Sequence, residues 1–500
     1  MPPVNADSDA IIAVRARRAG AVARIVLAGS VVAGAAAAVF YAREGLTLSH
    51  YDARAHLTVA RRVFDSLTPG WRQLGGVWLP LPHLIDLPLV WPDWGYRTGF
   101  PAVAASILAL AAGLSALAAW LVRETGSTAA ALVAPALILG NPNVLYLQST
   151  PMTEPLLLGL SCVALAAVDR WIRDPQSARA AWASPALAAL VLVRYEGWLV
   201  GGALGAVAVL ARWRGGVRPL AQLAAWPAVA IAAFFALSWA STGQLLVTSG
   251  FYVADNPARH DLAASLSDVL RVTSDMTGPV VLALAIAGIG VAIWRGRASW
   301  TSVLPACLLA AGLLPLSAFD AGHPLRVRYM VPIAAACGAL TALTIGALPA
   351  RGRVRSLAAA AAVAATFFLR PPLDPTAPMV IEAQREVPLQ RDRQPVTAYL
   401  ASHYDHAPIL ASMDAVGHYM QELSAIGLPL RSFVHEGNGD LWLDALASPR
   451  RHVGWILIES RNDNRDAIAS RLSEHPNLLE GFVQVASAGD VTLYRRRDGG

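Results

Sequence analysis

Apolar segments recur along most of this chain, and that recurrence restricts its fold more than any other feature. They run approximately over residues 25–42, 99–122, 128–147, 154–169, 178–194, 198–211, 220–240, 279–294, 301–318, 329–348 and 355–369. Most approach the ~20 residues an α-helix needs to cross the hydrocarbon layer. At 500 residues the chain would make about three soluble domains by length alone. With 55% hydrophobic and 15% charged residues it reads instead as a polytopic α-helical membrane protein.

The connections between these segments are of two kinds. DRWIRD (169–174), RWRGGVR (212–218), WRGRAS (294–299) and RGRVR (351–355) are short and arginine-rich. The positive-inside rule places them, and the N-terminus, in the cytoplasm. Residues 43–97, 141–155, 242–278 and 319–328 carry His, Asp, Glu, Trp and Pro and are expected outside. The expectation is about eleven spans, with the N-terminus inside and the C-terminal tail outside. The net charge of +6 lies largely in the short loops, so it sets orientation and does not indicate a nucleic-acid partner. All three cysteines, Cys162, Cys307 and Cys337, fall in apolar segments and read as small core residues. Arg15, Arg17, Arg18 and Arg24 before the first segment suggest a signal peptide. With so many spans behind it, a retained first helix is the simpler reading.

After Arg370 the composition changes. PPLDPTAP (371–378) reads as a linker, and mixed, soluble character follows it. PILAS (408–412) and GWILIES (454–460) have the look of buried strands, residues 465–482 carry helical spacing, and 483–496 suggests a hairpin. The expected organisation is a transmembrane region over 1–370 with an outer loop at 43–97, a proline-rich linker at 371–379, and a small extracytoplasmic α/β domain at 380–500.

Four places hold polar residues that need a reason. In SHYDARAHLTVARRVFDSLTPG, Leu57, Ala60, Phe64 and Leu67 recur at helical spacing and predict an amphipathic interfacial helix over 52–67. Asp52 and His56 then share one face. Asp52 either caps this helix or serves as a base, and the residues alone leave both readings open. In LVLVRYEGWLV, Arg194 and Glu196 interrupt a long apolar run, where ionisable groups normally have partners or line a cavity. Glu154 stands at the start of the fourth segment, where a helix N-terminus also favours a carboxylate. Arg326, Arg328 and Tyr329 precede a late span, and paired guanidiniums can grip a phosphate. Asp255, His260 and Asp261 in a further outer loop lack a recognised metal-ligand spacing and read as solvated charges.

The order of these features is more telling than any one of them. An acidic residue in the first outer loop, Arg194-Tyr195-Glu196-Gly197 at the membrane, and Arg328-Tyr329-Met330-Val331-Pro332 entering a late span resemble the C-type integral-membrane glycosyltransferases. The nearest likeness is to bacterial relatives of protein O-mannosyltransferases and aminoarabinose transferases. Members often carry Asp-Glu in the first outer loop; here Tyr51-Asp52-Ala53 keeps one acid. The resemblance implies a hexosyl- or pentosyltransferase of the bacterial cytoplasmic membrane. Its donor would be a polyprenyl-phosphate sugar and its acceptor a glycan, lipid or protein. Asp52 would be the catalytic base, and Arg326, Arg328 and Tyr329 would bind the donor phosphate. His56, Glu154, Arg194 and Glu196 would support the site or bind substrate, and a divalent metal is left open. A lipid or glycan transporter and a non-catalytic polysaccharide-assembly protein are the competing readings. Polar residues are expected to concentrate at the outer helix ends, without a matching inner set, which speaks against transport.

Overall fold

The structure, a computed structural model, describes residues 6–247, 256–350, 353–459 and 466–497. Among these, seven helices are long and apolar enough to cross a membrane: Ala13–Arg43, Phe100–Thr125, Glu154–Arg173, Val217–Thr242, Pro279–Gly296, Trp300–Asp320 and Val327–Ala347. Shorter apolar helices cover Thr128–Leu139, Ala180–Val191 and Val354–Leu369. Several exposed tryptophans lie near helix ends, with Trp91 and Trp94 in one class of connection and Trp213 and Trp294 in the arginine-rich class. Tryptophan favours the two membrane–water boundaries.

Several apolar segments depart from simple spans, two of them with an internal break or change of helix type. The stretch 128–147 is broken: one helix ends at Leu139 and a second runs Pro142–Leu147, capped by Asn141. Twelve residues rise about 18 Å, well short of the ~30 Å hydrocarbon layer. Gly140 followed by Asn-Pro is the local cause, since the chain restarts with a capped, proline-led helix. The stretch 301–318 begins as a 3₁₀ helix, Trp300–Gly312, with Pro305 inside it, and becomes α-helical over Leu313–Asp320.

Six helices frame the candidate site: α1 (Tyr51–Arg61), α2 (Glu154–Arg173), α3 (Tyr195–Arg212), α4 (Val331–Ala347), α5 (Pro378–Asp392) and α6 (Met413–Leu423). The helix Phe100–Thr125 crosses α2 so closely that a Cβ at Gly113 would strike the backbone of Gly159. Small residues permit this approach, and dispersion contacts hold it in a lipid environment.

The expected interfacial helix is shorter and more buried than its sequence pattern suggests. α1 ends at Arg61, leaving Phe64 and Leu67 beyond it, and Asp52, Ala53 and every residue from His56 to Arg61 are buried. It lies inside the protein because its outer side is covered by α6. Leu57 and Ala60 share a core with Val416, Tyr419 and Met420, and Thr58 Oγ1 donates to Gly417 O at 3.2 Å.

The C-terminal sheet comprises β1 (Ile409–Ala411), β2 (Phe433–Val434), β3 (Trp455–Glu459), β4 (Phe482–Ala488) and β5 (Val491–Arg496). Its order is β2-β1-β3-β5-β4, with the first three strands parallel and the last three antiparallel to their neighbours. The two strands, the hairpin and a helix over Ala467–Glu474 match the sequence expectation, although residues 460–465 lie outside the described part.

The polar residues are not confined to one end of the bundle. At the far ends of the helix Phe100–Thr125 and α2, Arg173 pairs with Glu124 and Asp169, each at 2.9 Å. The expected absence of such a set is therefore corrected.

Candidate active site

Three helix N-termini bring carboxylates to one place. Asp52, Glu154 and Glu196 stand in the first turns of α1, α2 and α3 respectively. Each helix start carries partial positive charge and unpaired N–H groups, which favour an acid there. Two arginines lie between the acids. Arg194 precedes α3 in extended conformation, because the chain must turn between Val191 and Tyr195. Its guanidinium reaches Glu154 Oε1 at 2.9 Å, Glu196 Oε1 at 2.8 Å and Thr153 Oγ1 at 2.9 Å. Arg328, in the 3₁₀ turn Val327–Met330 that leads into α4, contacts the Asp52 carboxylate through Nη1. Its Nε lies 3.9 Å from Glu154 Oε1.

The result is a chain of alternating charge: Asp52, Arg328, Glu154, Arg194, Glu196. Its members are 4, 8, 0, 13 and 2% exposed, taking the side chain for Arg194 and the whole residue for the others. Buried ions are costly unless paired, and alternation gives every one an opposite neighbour. Tyr329 lies against both cations, with Arg194 5.9 Å and Arg328 5.6 Å from its ring centre. The guanidinium of Arg326 lies 5.9 Å over the ring of Tyr51.

His56 shares the Asp52 face of α1 as expected, and its nearest ring partners are aromatic. Its Nδ1 is 3.1 Å from His83 Nε2, and its ring lies 4.3 Å from that of Trp78. Burial, then His83, Arg194 and His50, hold its proton affinity well below the usual histidine range, so the ring stays neutral. It sits one turn along α1 from Asp52 and faces an aromatic wall.

Two residues in the site carried no expectation. His50 is the N-cap of α1, its Nδ1 accepting the Asp52 backbone N–H at 3.1 Å. Asp52 is therefore not the cap. Histidine lies outside the usual capping set, which hid this role. The His50 Nε2 lies 3.4 Å from Oε1 of Glu382, a residue of α5. Burial alone would raise the Glu382 carboxyl, but His50, Arg328 and Arg326 together hold it below the ordinary glutamate range. No local pattern in the sequence marks Glu382, and the C-terminal region had offered no site residue at all.

Among the described residues no three His, Cys, Asp or Glu side chains gather as a metal-binding group. Asp261 caps the helix Leu262–Thr277 by accepting Ala264 N–H at 2.9 Å, and Asp255 lies outside the described residues.

The overall architecture, a helical bundle with a C-terminal mixed sheet beside it, has a C-type fold, shared with solved structures at low sequence identity. The solved structures that share it include ArnT, an aminoarabinose transferase from Cupriavidus metallidurans, bound to undecaprenyl phosphate. That structure is 16% identical, with a TM-score of 0.55 over 93% of this chain and 98% of the other. ArnT from the same organism in the apo state aligns at 15% identity and a TM-score of 0.53, covering 91% and 97% of the two chains. No protein-family model and no curated protein matches the chain.

Proposed function

We propose that this chain is a membrane glycosyltransferase that moves a sugar from a polyprenyl-phosphate donor to a glycan, lipid or protein acceptor, with inversion. The observation that carries the reading is Arg328, a buried guanidinium held between Asp52 and Glu154 at the converging helix starts. A buried cation beside a buried carboxylate supplies the two groups that such a transfer requires. The solved ArnT complex with undecaprenyl phosphate supports a donor of that lipid class.

In this reading the acceptor oxygen bonds to the anomeric carbon from the face opposite the phosphate. The anomeric C–O bond breaks, and its electron pair leaves on the phosphate oxygen. Arg328 stabilises the growing charge there, and the hydroxyl proton passes to the Asp52 carboxylate. Arriving phosphate competes with Asp52 for Arg328. Release from Arg328 frees the Asp52 carboxylate to accept the proton, so donor binding and base activation are linked. Arg194, fixed by Glu154 and Glu196, supports Arg328 through their shared partner Glu154.

The arginine-rich connections support an inside N-terminus and a site at the outer face of the cytoplasmic membrane. The domain organisation of the sequence reading, with an extracytoplasmic region after about residue 380, belongs to the same proposal.

Purified protein offered a panel of radiolabelled polyprenyl-phosphate sugars, with and without divalent metal, tests the activity. Transfer from at least one donor is expected. Movement of lipid-linked sugar across a vesicle membrane without transfer would replace this reading with transport.

A further inference from the structure

His50, two residues before Asp52, is fully buried. Its two nitrogens face different kinds of group. Nδ1 accepts the Asp52 backbone N–H at 3.1 Å, which requires a free lone pair on that nitrogen. Nε2 faces the Glu382 carboxylate at 3.4 Å, which favours a proton there. A neutral ring can satisfy both only in one tautomer, and a neighbouring carboxylate is a common way to select it.

The helix that supplies Glu382 is tied down on both sides of it. Met379 N–H donates to Asn143 Oδ1 at 3.0 Å, and Gln390 Nε2 donates to the carbonyl of Ser49 at 3.1 Å. Ser49 immediately precedes His50. Met379, Val380 and Ala383 are buried in the same core as the membrane helices. The His50 ring also stacks on Tyr51 at 4.8 Å, under the guanidinium of Arg326. Glu382 is thus presented from a fixed helix to a ring that has little freedom to turn.

We infer that Glu382 and His50 are positioning residues for Asp52. Glu382 holds the proton of His50 on Nε2, and the freed Nδ1 caps α1 and keeps its first turn, with Asp52, against Arg328. The role of Asp52 as base rests on the proposed glycosyl transfer, whereas the tautomer and the cap do not.

The cap can be separated from the tautomer. Asparagine is among the best N-cap residues and has no tautomer to select. His50→Ala should lower kcat about tenfold, the scale of a lost cap, with the donor KM within about twofold of wild type. His50→Asn should restore most of that loss. Glu382→Ala should lower kcat by a similar factor in the wild-type background and have no further effect in the His50→Asn background. Glu382→Gln should fall between Glu382→Ala and wild type.

A second readout needs no donor. In the full-length protein labelled with ¹⁵N-histidine and reconstituted in lipid, the His50 signal is assigned by its loss in His50→Asn. It should report a proton on Nε2 in wild type and a shift toward mixed tautomers in Glu382→Ala. A proton on Nδ1 in wild type, or an unchanged tautomer in Glu382→Ala, overturns the relay. Equal damage from Glu382→Ala in both backgrounds also overturns it, because Glu382 then acts directly on Arg328 or on substrate. If no donor supports turnover while the tautomer responds as expected, glycosyl transfer fails and the relay stands.

Discussion

Replacing Asp52 with asparagine separates a catalytic role from a structural one. The substitution keeps size and one acceptor oxygen but removes the charge and the base. General base catalysis contributes ~10²–10⁴-fold in rate, or about 2.7–5.4 kcal/mol at ~1.36 kcal/mol per decade. Removing one partner of a buried ion pair typically costs ~3–5 kcal/mol of stability. Here the loss should be smaller, because Arg328 keeps Glu154 at 3.9 Å and the field of Glu382. The backbone N–H of residue 52 still reaches the His50 ring, so α1 keeps its cap. Folding should therefore survive while turnover falls at least a hundredfold. Donor affinity should hold or improve, since the Arg328 charge no longer faces the Asp52 carboxylate as well as the phosphate. Single-turnover transfer at several donor concentrations, with size-exclusion profiles of both proteins, reads these quantities separately. Near-normal turnover in a monodisperse Asp52→Asn protein would refute the assignment of the base. Loss of donor binding with unchanged chemistry would make Asp52 a donor-binding group instead.

Arg328→Lys retains a charge but loses the planar fork that matches phosphate; donor titration should weaken by roughly ten- to a hundredfold, and titrations unchanged from wild type in both Arg328→Lys and Arg328→Ala would remove it from the site. Cysteines placed at exposed positions of the 62–72 segment and of the C-terminal region should both react with a membrane-impermeant reagent added outside intact cells; labelling of either only after permeabilisation would invert the topology. Burial raises the carboxyl of Asp86 to about 7. The folded state therefore holds this proton more tightly than the unfolded one, so stability is lost as pH rises from the unfolded value toward 7. The thermal midpoint of Asp86→Asn should fall less than that of wild type between pH 5 and pH 8; parallel curves would count against a buried, protonated Asp86.

The membrane helices were legible because apolar runs near bilayer length leave few alternatives. Their breaks were less so: Gly140-Asn141-Pro142 interrupts a run whose hydrophobicity is otherwise continuous. Arg194, Glu196, Glu154, Asp52 and Arg328 stood out because charge within or beside apolar sequence demands a partner. That argument identifies groups needing partners without pairing them. The order Asp52–Arg328–Glu154–Arg194–Glu196 depends on how helices distant in sequence converge. The same limit hid Glu382, an ordinary glutamate in a polar helix until α5 is placed beside His50. It also hid the burial of α1, whose amphipathic pattern is the one an interfacial helix would show. Two-residue β2 has no periodicity to read.

The covering of α1 explains why a C-terminal sheet belongs beside a membrane site. Arg328, Glu154 and Arg194 are positioned by the packing of apolar helices, whereas Asp52 rides on a short helix that such packing alone would hold loosely. The C-terminal region grips that helix from its other side. Arg54 bonds Gln421 at 2.9 Å and lies 3.6 Å from Glu422, which in turn meets Arg393 at 3.2 Å. Arg393 is locked to Asp490, at the turn between β4 and β5, by bonds of 2.6 and 2.8 Å. Further along, Asp65 accepts Leu430 N–H and Arg431 N–H, each at 3.3 Å. A base displaced by even an ångström loses much of its rate advantage. Bracing α1 from the sheet while Glu382 and His50 set its first turn fixes Asp52 relative to Arg328 at two points, both reached from the chain around Arg393. The C-terminal region is in this sense part of the site's geometry, and a substitution at Arg393 or Asp490 should reach the chemistry through α1 without touching substrate.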